Sequence, residues 1–257
     1  MSTGRTLSRW ARIYADGYDL SGHTREIGPL AWTYDEVEQV AMMDSARGAL
    51  PNHPEISIGT LNGLFDNTAT SGIHAVLGSA GVSRDVLVAL GIRAAPAEGD
   101  PAFMGAFNQN AYQIAPSGGD IALTVPFGKI SPAEGMLYEK PWGTLLHENA
   151  EETEANAANG VDDDRRAAST TSGGFLVYQI LGVTGTGTVT ISIDDSANNS
   201  TWLALSGATS AAIAHTAVPC AGIIQLGVTA TVRRYLRWQL ALDTVTACQF
   251  VLGFVRA

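Results

Sequence analysis

Cysteine, charge and long apolar runs are all scarce in this chain. Cys220 and Cys248 are the only cysteines among 257 residues, so no disulfide framework organises the fold, and their spacing leaves a bridge and two free thiols equally open. No run of about 18 apolar residues occurs, so no membrane-spanning helix is expected. The first residues carry positive charge without an apolar h-region, which predicts no secretory signal and synthesis in a cytoplasm. Charged residues are only 16% of the chain and aromatics 7%. Lys and Glu are absent altogether after position 171.

That last absence divides the sequence. Before position 171 there are 11 Lys and Arg against 22 Asp and Glu, whereas the remainder has 4 Arg against 3 Asp. The shift suggests a first domain over 1–147, an acidic linker over 148–171 that has little to bury, and a C-terminal module over 172–257. The overall pI near 4.8 argues against a protein that grips nucleic acid through its phosphates.

Reactive motifs are missing as well. His23, His53, His74, His147 and His215 show no metal-ligand spacing, and no nucleophile elbow is present. The run GVTGTGTVT at 182–190 lacks the Lys of a phosphate loop and reads as a turn entering a strand. Asp162, Asp163 and Asp164 offer oxygens suited to Ca²⁺ but no turns to spread them around an ion, so they read as a solvated charge run. The sequence therefore predicts no enzyme, no cofactor and no metal.

What is present is strand pattern. In residues 48–66, GALPNHPEISIGTLNGLFD, β-branched Ile56, Ile58 and Thr60 alternate with small residues behind a Pro-rich hinge. Strands are expected over 9–14 and 30–34, with a helix opened by the capping-box spacing of Asp35 and Glu38. A second helix is expected from Asn67 to about Leu77, then a buried strand over 84–93 whose apolar residues run almost without interruption. Residues 102–114 and 121–127 form a predicted hairpin around the Gly-rich turn at 116–120, and 137–146 an edge element. After 172, six short strands (175–181, 188–193, 202–205, 223–228, 235–242 and 248–255) predict a β-sandwich, with DDSANN at 194–199 as a surface turn. Arg233 and Arg237 would share a strand face, opposite Arg234. Tyr178, Trp202, Tyr235 and Trp238 fit either a sandwich core or a sugar-stacking platform.

The series DGYDLSGHTREIG at 16–28, an acidic segment, and then GALPNHPEISIGTLNGLFD resembles the opening of tail tube (major tail) proteins of long-tailed bacteriophages, over about residues 9–146. The resemblance implies a mainly β fold: a tail-tube-type β-sandwich or half-barrel with one or two short helices, followed by an immunoglobulin-like β-sandwich. It implies a structural virion protein that forms homo-oligomeric, hexameric rings stacked into a tube, with tape-measure and tail-terminator proteins as partners. DNA would pass through without specific binding and no membrane is involved. The candidate inter-subunit contacts are Asp19, Leu20, Ser21, Arg25, Pro51, His53, Gly59, Phe65, Phe107 and Tyr112, on loops 16–28 and 48–54, the strand behind them and the 102–127 hairpin. Gly59 in particular is expected to serve assembly, so that Val there would spare the folded monomer. The alternative expectation is a capsid decoration or host-glycan adhesion protein acting through the C-terminal module.

Overall fold

The computed structural model describes residues 8–39, 48–92, 94–117, 119–130, 140–153, 161–162 and 169–257. Among them the fold is almost entirely antiparallel β. A short 3₁₀ turn leads into β1 (Ala11–Ala15), which turns back through Asp16 and Gly17 into β2 (Tyr18–Asp19). β3 (Thr24–Ile27), β4 (Leu30–Gln39), β5 (Gly48–Ile58) and β6 (Thr60–Leu64) follow, then α1 (Ile73–Leu77), β7 (Val82–Leu90) and β8 (Pro101–Gln109). The first half closes with β9 (Gln113–Ser117), β10 (Asp120–Ile130) and β11 (Trp142–Glu152). The remainder contributes β12 (Val161–Asp162), β13 (Gly174–Ser196), β14 (Leu203–Thr209), β15 (Ile213–Ala214), β16 (Cys220–Gln225) and β17 (Tyr235–Arg256).

The first half is a sandwich. One sheet runs β2, β1, β7, β8; the other runs β3, β6, β10, β9. Ile13, Val86, Val88, Phe103 and Phe107 of the first meet Leu61, Leu123, Val125 and Phe127 of the second, with Ile73, Val76 and Leu77 of α1 in the same cluster. The unbroken apolar run of β7 has a simple cause: alternate residues fill two cores. Val86 and Val88 face the sandwich interior, while Leu87 and Ala89 join a second cluster with Ala102 and Met104 of β8, Leu145, Phe175, Val177, Val251 and Val255. That second cluster draws on both halves of the chain. The sheet itself crosses between them, because β11 pairs with β8 on one side and β17 on the other. It then curls through β17, β13 and β16 until Gln179 on β13 reaches the β1–β2 turn. Its Oε1 accepts from Gly17 N at 2.6 Å and its Nε2 donates to Asp85 O at 2.9 Å. The break at 147/148 suggested by composition falls inside β11: Glu148 and Asn149 sit in a register shift, and Ala150, Glu151 and Glu152 are ladder residues opposite β17, not linker.

Several expectations are corrected. Asp35 and Glu38 do not open a helix: they lie in β4, which pairs with β5 from Leu30↔Ile58 to Gln39↔Gly48. The β-prone Trp32, Thr33, Tyr34 and Val37 and a paired partner outweigh a capping spacing with no apolar stripe behind it. The loop expected at 48–54 is the outer part of β5; Pro51 and Pro54 are tolerated there because, among the described residues, this part of the strand pairs only with β4. The pattern of 55–65 changes phase at Gly59: Ile56 and Ile58 are buried before it, Leu61 after it. The second helix is about one turn and a half long, starting at Ile73 behind the N-cap Gly72 and not at Asn67. Residues 102–114 are not one strand: β8 ends at Gln109, pairs mainly with β7, and the hairpin is β9–β10. The element at 142–152 is central, not an edge.

In the C-terminal part the six short strands become largely two long ones, β13 and β17, paired from Gly174↔Arg256 to Ser196↔Tyr235. The strand does not stop at GVTGTGT; it bends, with register shifts at Ile180/Gly182, Thr184/Gly185 and Gly185/Thr188. Gly187 at φ +127 approaches Asp243 so closely that a Cβ would overlap its carbonyl, so only glycine serves at this bend. The core of this part gathers Ile191, Ile193, Leu236, Trp238, Leu240, Phe250, Leu252 and Phe254. Asp194 and Asp195 are buried strand residues and not part of a surface turn.

Candidate assembly surfaces

Beyond Ala31, the β4–β5 pair leaves the sandwich as a two-stranded ribbon. Residues 32–38 and 49–53 are all exposed, so neither face of the ribbon is covered. Its large apolar side chains are Trp32, 37% exposed, Tyr34, 46%, Val37, 47%, and Leu50, 53%. Trp32 and Tyr34 share one face, with ring centroids 6.0 Å apart; Val37 lies opposite Leu50 on the other strand. Lys129 on β10 holds Glu55 at the ribbon's base at 2.7 Å, and this hydrogen bond raises the lysine's pKa. The β9–β10 hairpin is a second, smaller projection, with Ile114 41% and Ile121 40% exposed.

Between the edges of β1 and β3 no strand lies among the described residues. A groove of about 650 Å³ there is floored by Ile13, Ile27 and Val88 and rimmed by Arg9, Arg12 and Arg25, with Glu26 alongside.

The residues singled out from sequence separate into two groups. Leu20 and Phe107 are fully buried in their own core, so neither is a surface contact. Phe65 packs on His74 at 5.2 Å between ring centroids, and the Tyr112 hydroxyl lies 2.8 Å from His74 Nδ1. Burial pushes the Tyr112 phenol's pKa up. Gly59 is held inside the subunit as well: a Cβ there would come within 2.8 Å of Pro29 Cδ, so a Val at this site strains the monomer. Asp19 accepts from Ser21 N at 2.9 Å and from Asn149 Nδ2 at 3.1 Å, and Ser21 Oγ accepts from Ile13 N at 3.0 Å. These two residues shape the 16–28 turn. Arg25 pairs with Asp120 at 2.9 Å on the open surface, and Pro51 and His53 are exposed on the ribbon. Sequence reasoning missed Trp32, Tyr34, Val37 and Leu50; the signal was present as β-prone residues facing each other across 40–47.

The C-terminal aromatics are largely occupied. Trp238 is buried, 5.1 Å from the His147 ring. The Arg237 guanidinium lies over Trp202 at 4.6 Å, and Arg234 over Tyr235 at 4.8 Å. Arg233 and Arg234 precede β17, so Arg233 does not share a strand face with Arg237 as expected; the two are matched within the chain to Asp195 at 2.8 Å and Asp194 at 2.9 Å. Both cysteines are free thiols. Among the described residues no group of three or more His, Cys, Asp or Glu is placed to hold a metal, and no helix is long and apolar enough to cross a membrane. Asp163 and Asp164 lie outside the described residues.

No known family model matches the chain, and no curated protein matches it. Among solved structures, a similar chain is the SPP1 Dit (gp 19.1) protein, described as a paradigm of the hub adsorption apparatus in phages infecting Gram-positive bacteria. It has 8% identity and a TM-score of 0.34, covering 96% of this chain and 99% of that one. A likeness at that level carries no weight for fold or role, and the geometry above must stand alone.

Proposed function

We propose that the chain is a non-catalytic structural subunit of a phage-type tail, and more finely a tail-tube-type subunit that closes into rings, which stack into a conduit for DNA. The observation that carries this reading is the β4–β5 ribbon. A two-stranded ribbon exposed on both faces is marginal in water by itself, and covering Trp32, Tyr34, Val37 and Leu50 from their present half-exposure contributes about 1 kcal/mol each. A neighbouring subunit supplies that cover, and ring closure at the same time hides open strand edges such as that of β3. The resemblance of residues 16–28 and 48–66 to tail tube proteins points the same way. The acidic first half suits a passage along which DNA slides without binding, as like charge repels the phosphates. On this reading tape-measure and tail-terminator proteins meet the tube at its core and end. Glycan binding through the C-terminal part has less support, since one face of Trp202 and of Tyr235 is already covered by arginine.

Electron microscopy and sedimentation of the purified full chain test the proposal. Rings or hollow tubes are expected; a monomer that persists at high concentration overturns it.

A further inference from the structure

The following rests on the ring-forming reading. We propose that the ribbon tip of one subunit docks into the arginine-rimmed groove between β1 and β3 of a second copy. Among the described residues the groove's cations have no strongly held ion pair. Arg9 lies over the Trp10 ring at 4.6 Å. Arg12 donates to the carbonyls of Arg9 and Ala11 at 3.1 and 2.9 Å. The Arg25–Asp120 pair is 56% and 69% exposed, and such surface pairs hold weakly. By contrast, Arg84 is tied to Asp16 at 2.6 Å on a largely covered site. In a chain with net charge −10, three arginines around one groove are a marked local reversal of sign.

The ribbon carries the complementary chemistry. Asp35 and Glu36 are exposed near its middle, and Asp35 shares a face with Val37 by strand alternation, opposite Leu50. At about 3.3 Å per residue, the exposed part of β4 reaches roughly 25 Å from the sandwich, enough to cross to a neighbour. Val37, Leu50 and Asp35 share the ribbon face that meets the groove: the two apolar side chains settle over half-buried Ile27 and Asp35 meets the arginine rim, while Glu36, on the other face, adds to the ribbon's negative field. The outer edge of β3, which has no strand beside it among the described residues, lies along the same groove. A small anion would satisfy the arginines but leave Val37, Leu50 and Ile27 wet. The ribbon covers all of them at once.

Charge reversal in the full-length chain tests this. Asp35→Lys with Glu36→Lys, and separately Arg9→Glu with Arg12→Glu, should each raise the concentration needed for assembly roughly tenfold or more. The chain carrying all four changes should return to within a few-fold of the parent. Thermal unfolding of each variant monitors folding; if the half-buried Arg12 change disrupts it, the ribbon pair, wholly exposed, decides on its own. Parent assemblies that are unaffected by the reversals, or a fourfold variant no better than the double ones, overturn the docking while leaving the ring reading intact. A parent chain that never assembles overturns both.

Discussion

The two ends of this molecule treat charge in opposite ways. In the C-terminal part, charge is turned inward. Arg256, 3% exposed, donates to the carbonyls of Val232, Arg233 and Arg234 at 2.6, 2.7 and 3.2 Å. Asp194 accepts from Arg237 Nε and Nη2 at 3.1 and 2.9 Å and also from Gln239, and Asp195 accepts from the Arg233 side chain and backbone, each at 2.8 Å. The first half instead displays carboxylates on a ribbon with no cover and arginines around an open groove. One region pairs its charges within the chain, and the other, on the proposed reading, has surfaces that a second copy completes.

The sharpest way to break that contrast is to remove a charge from the self-sufficient end. Asp194→Ala leaves Arg237 and Gln239 without their acceptor at a site only 10% exposed on the aspartate side, and breaking such a buried pair costs about 3–5 kcal/mol. Urea unfolding should show a matching loss; a change below about 1 kcal/mol would mean that the region is not held by its internal ion pairs. Gln179→Leu is next in size. It leaves Gly17 N without its acceptor, a loss worth about 1–3 kcal/mol, takes one of two donors from Asp85 O, which keeps Asp16 N, and removes one polar link between halves that also share a sheet and a core cluster. If unfolding then separates into two transitions, the halves are cooperative chiefly through this residue.

The thiols probe the same end at high pH. Burial pushes the Cys248 thiol up to about 12, and that of Cys220 upward less strongly. An unfolded cysteine ionises near 8.5, so the folded state holds the extra proton between these values. Stability is unaffected below the unfolded pKa and falls as pH rises from there toward 12. A thiol reagent at pH 8 should leave Cys248 unmodified until denaturant is added, and ready modification of the folded chain would contradict this burial.

The sequence made the all-β character legible because period-2 alternation and glycine spacing are local signals. The buried strand at Val82–Leu90 was readable from its unbroken apolar run, although not the fact that its two faces fill different cores. Long-range pairing was not readable. Nothing local distinguishes a strand that stops at GVTGTGT from one that bends there, and Asp35 with Glu38 carries a helix-start spacing that pairing with β5 overrides. The candidate contacts suffered for the same reason: Leu20 and Phe107 look like anchors in sequence, yet only the three-dimensional core determines that they face inward. The ribbon escaped notice because its two strands belong together only once residues 32 and 56 are known to be opposite each other.

The smallest effect on stability should come from the ribbon, where its meaning for assembly is largest. Val37→Ser with Leu50→Ser alters side chains 47% and 53% exposed and a cross-strand pair outside either core. Surface changes of this kind stay within about 0.5 kcal/mol, so urea unfolding of the isolated chain should be nearly that of the parent. Assembly should nonetheless require a higher concentration, because the lost apolar cover is felt only in the complex. Equal loss in both measurements would show that the ribbon supports its own subunit, and the division between a self-sufficient end and an incomplete one would fail at the feature that defines it.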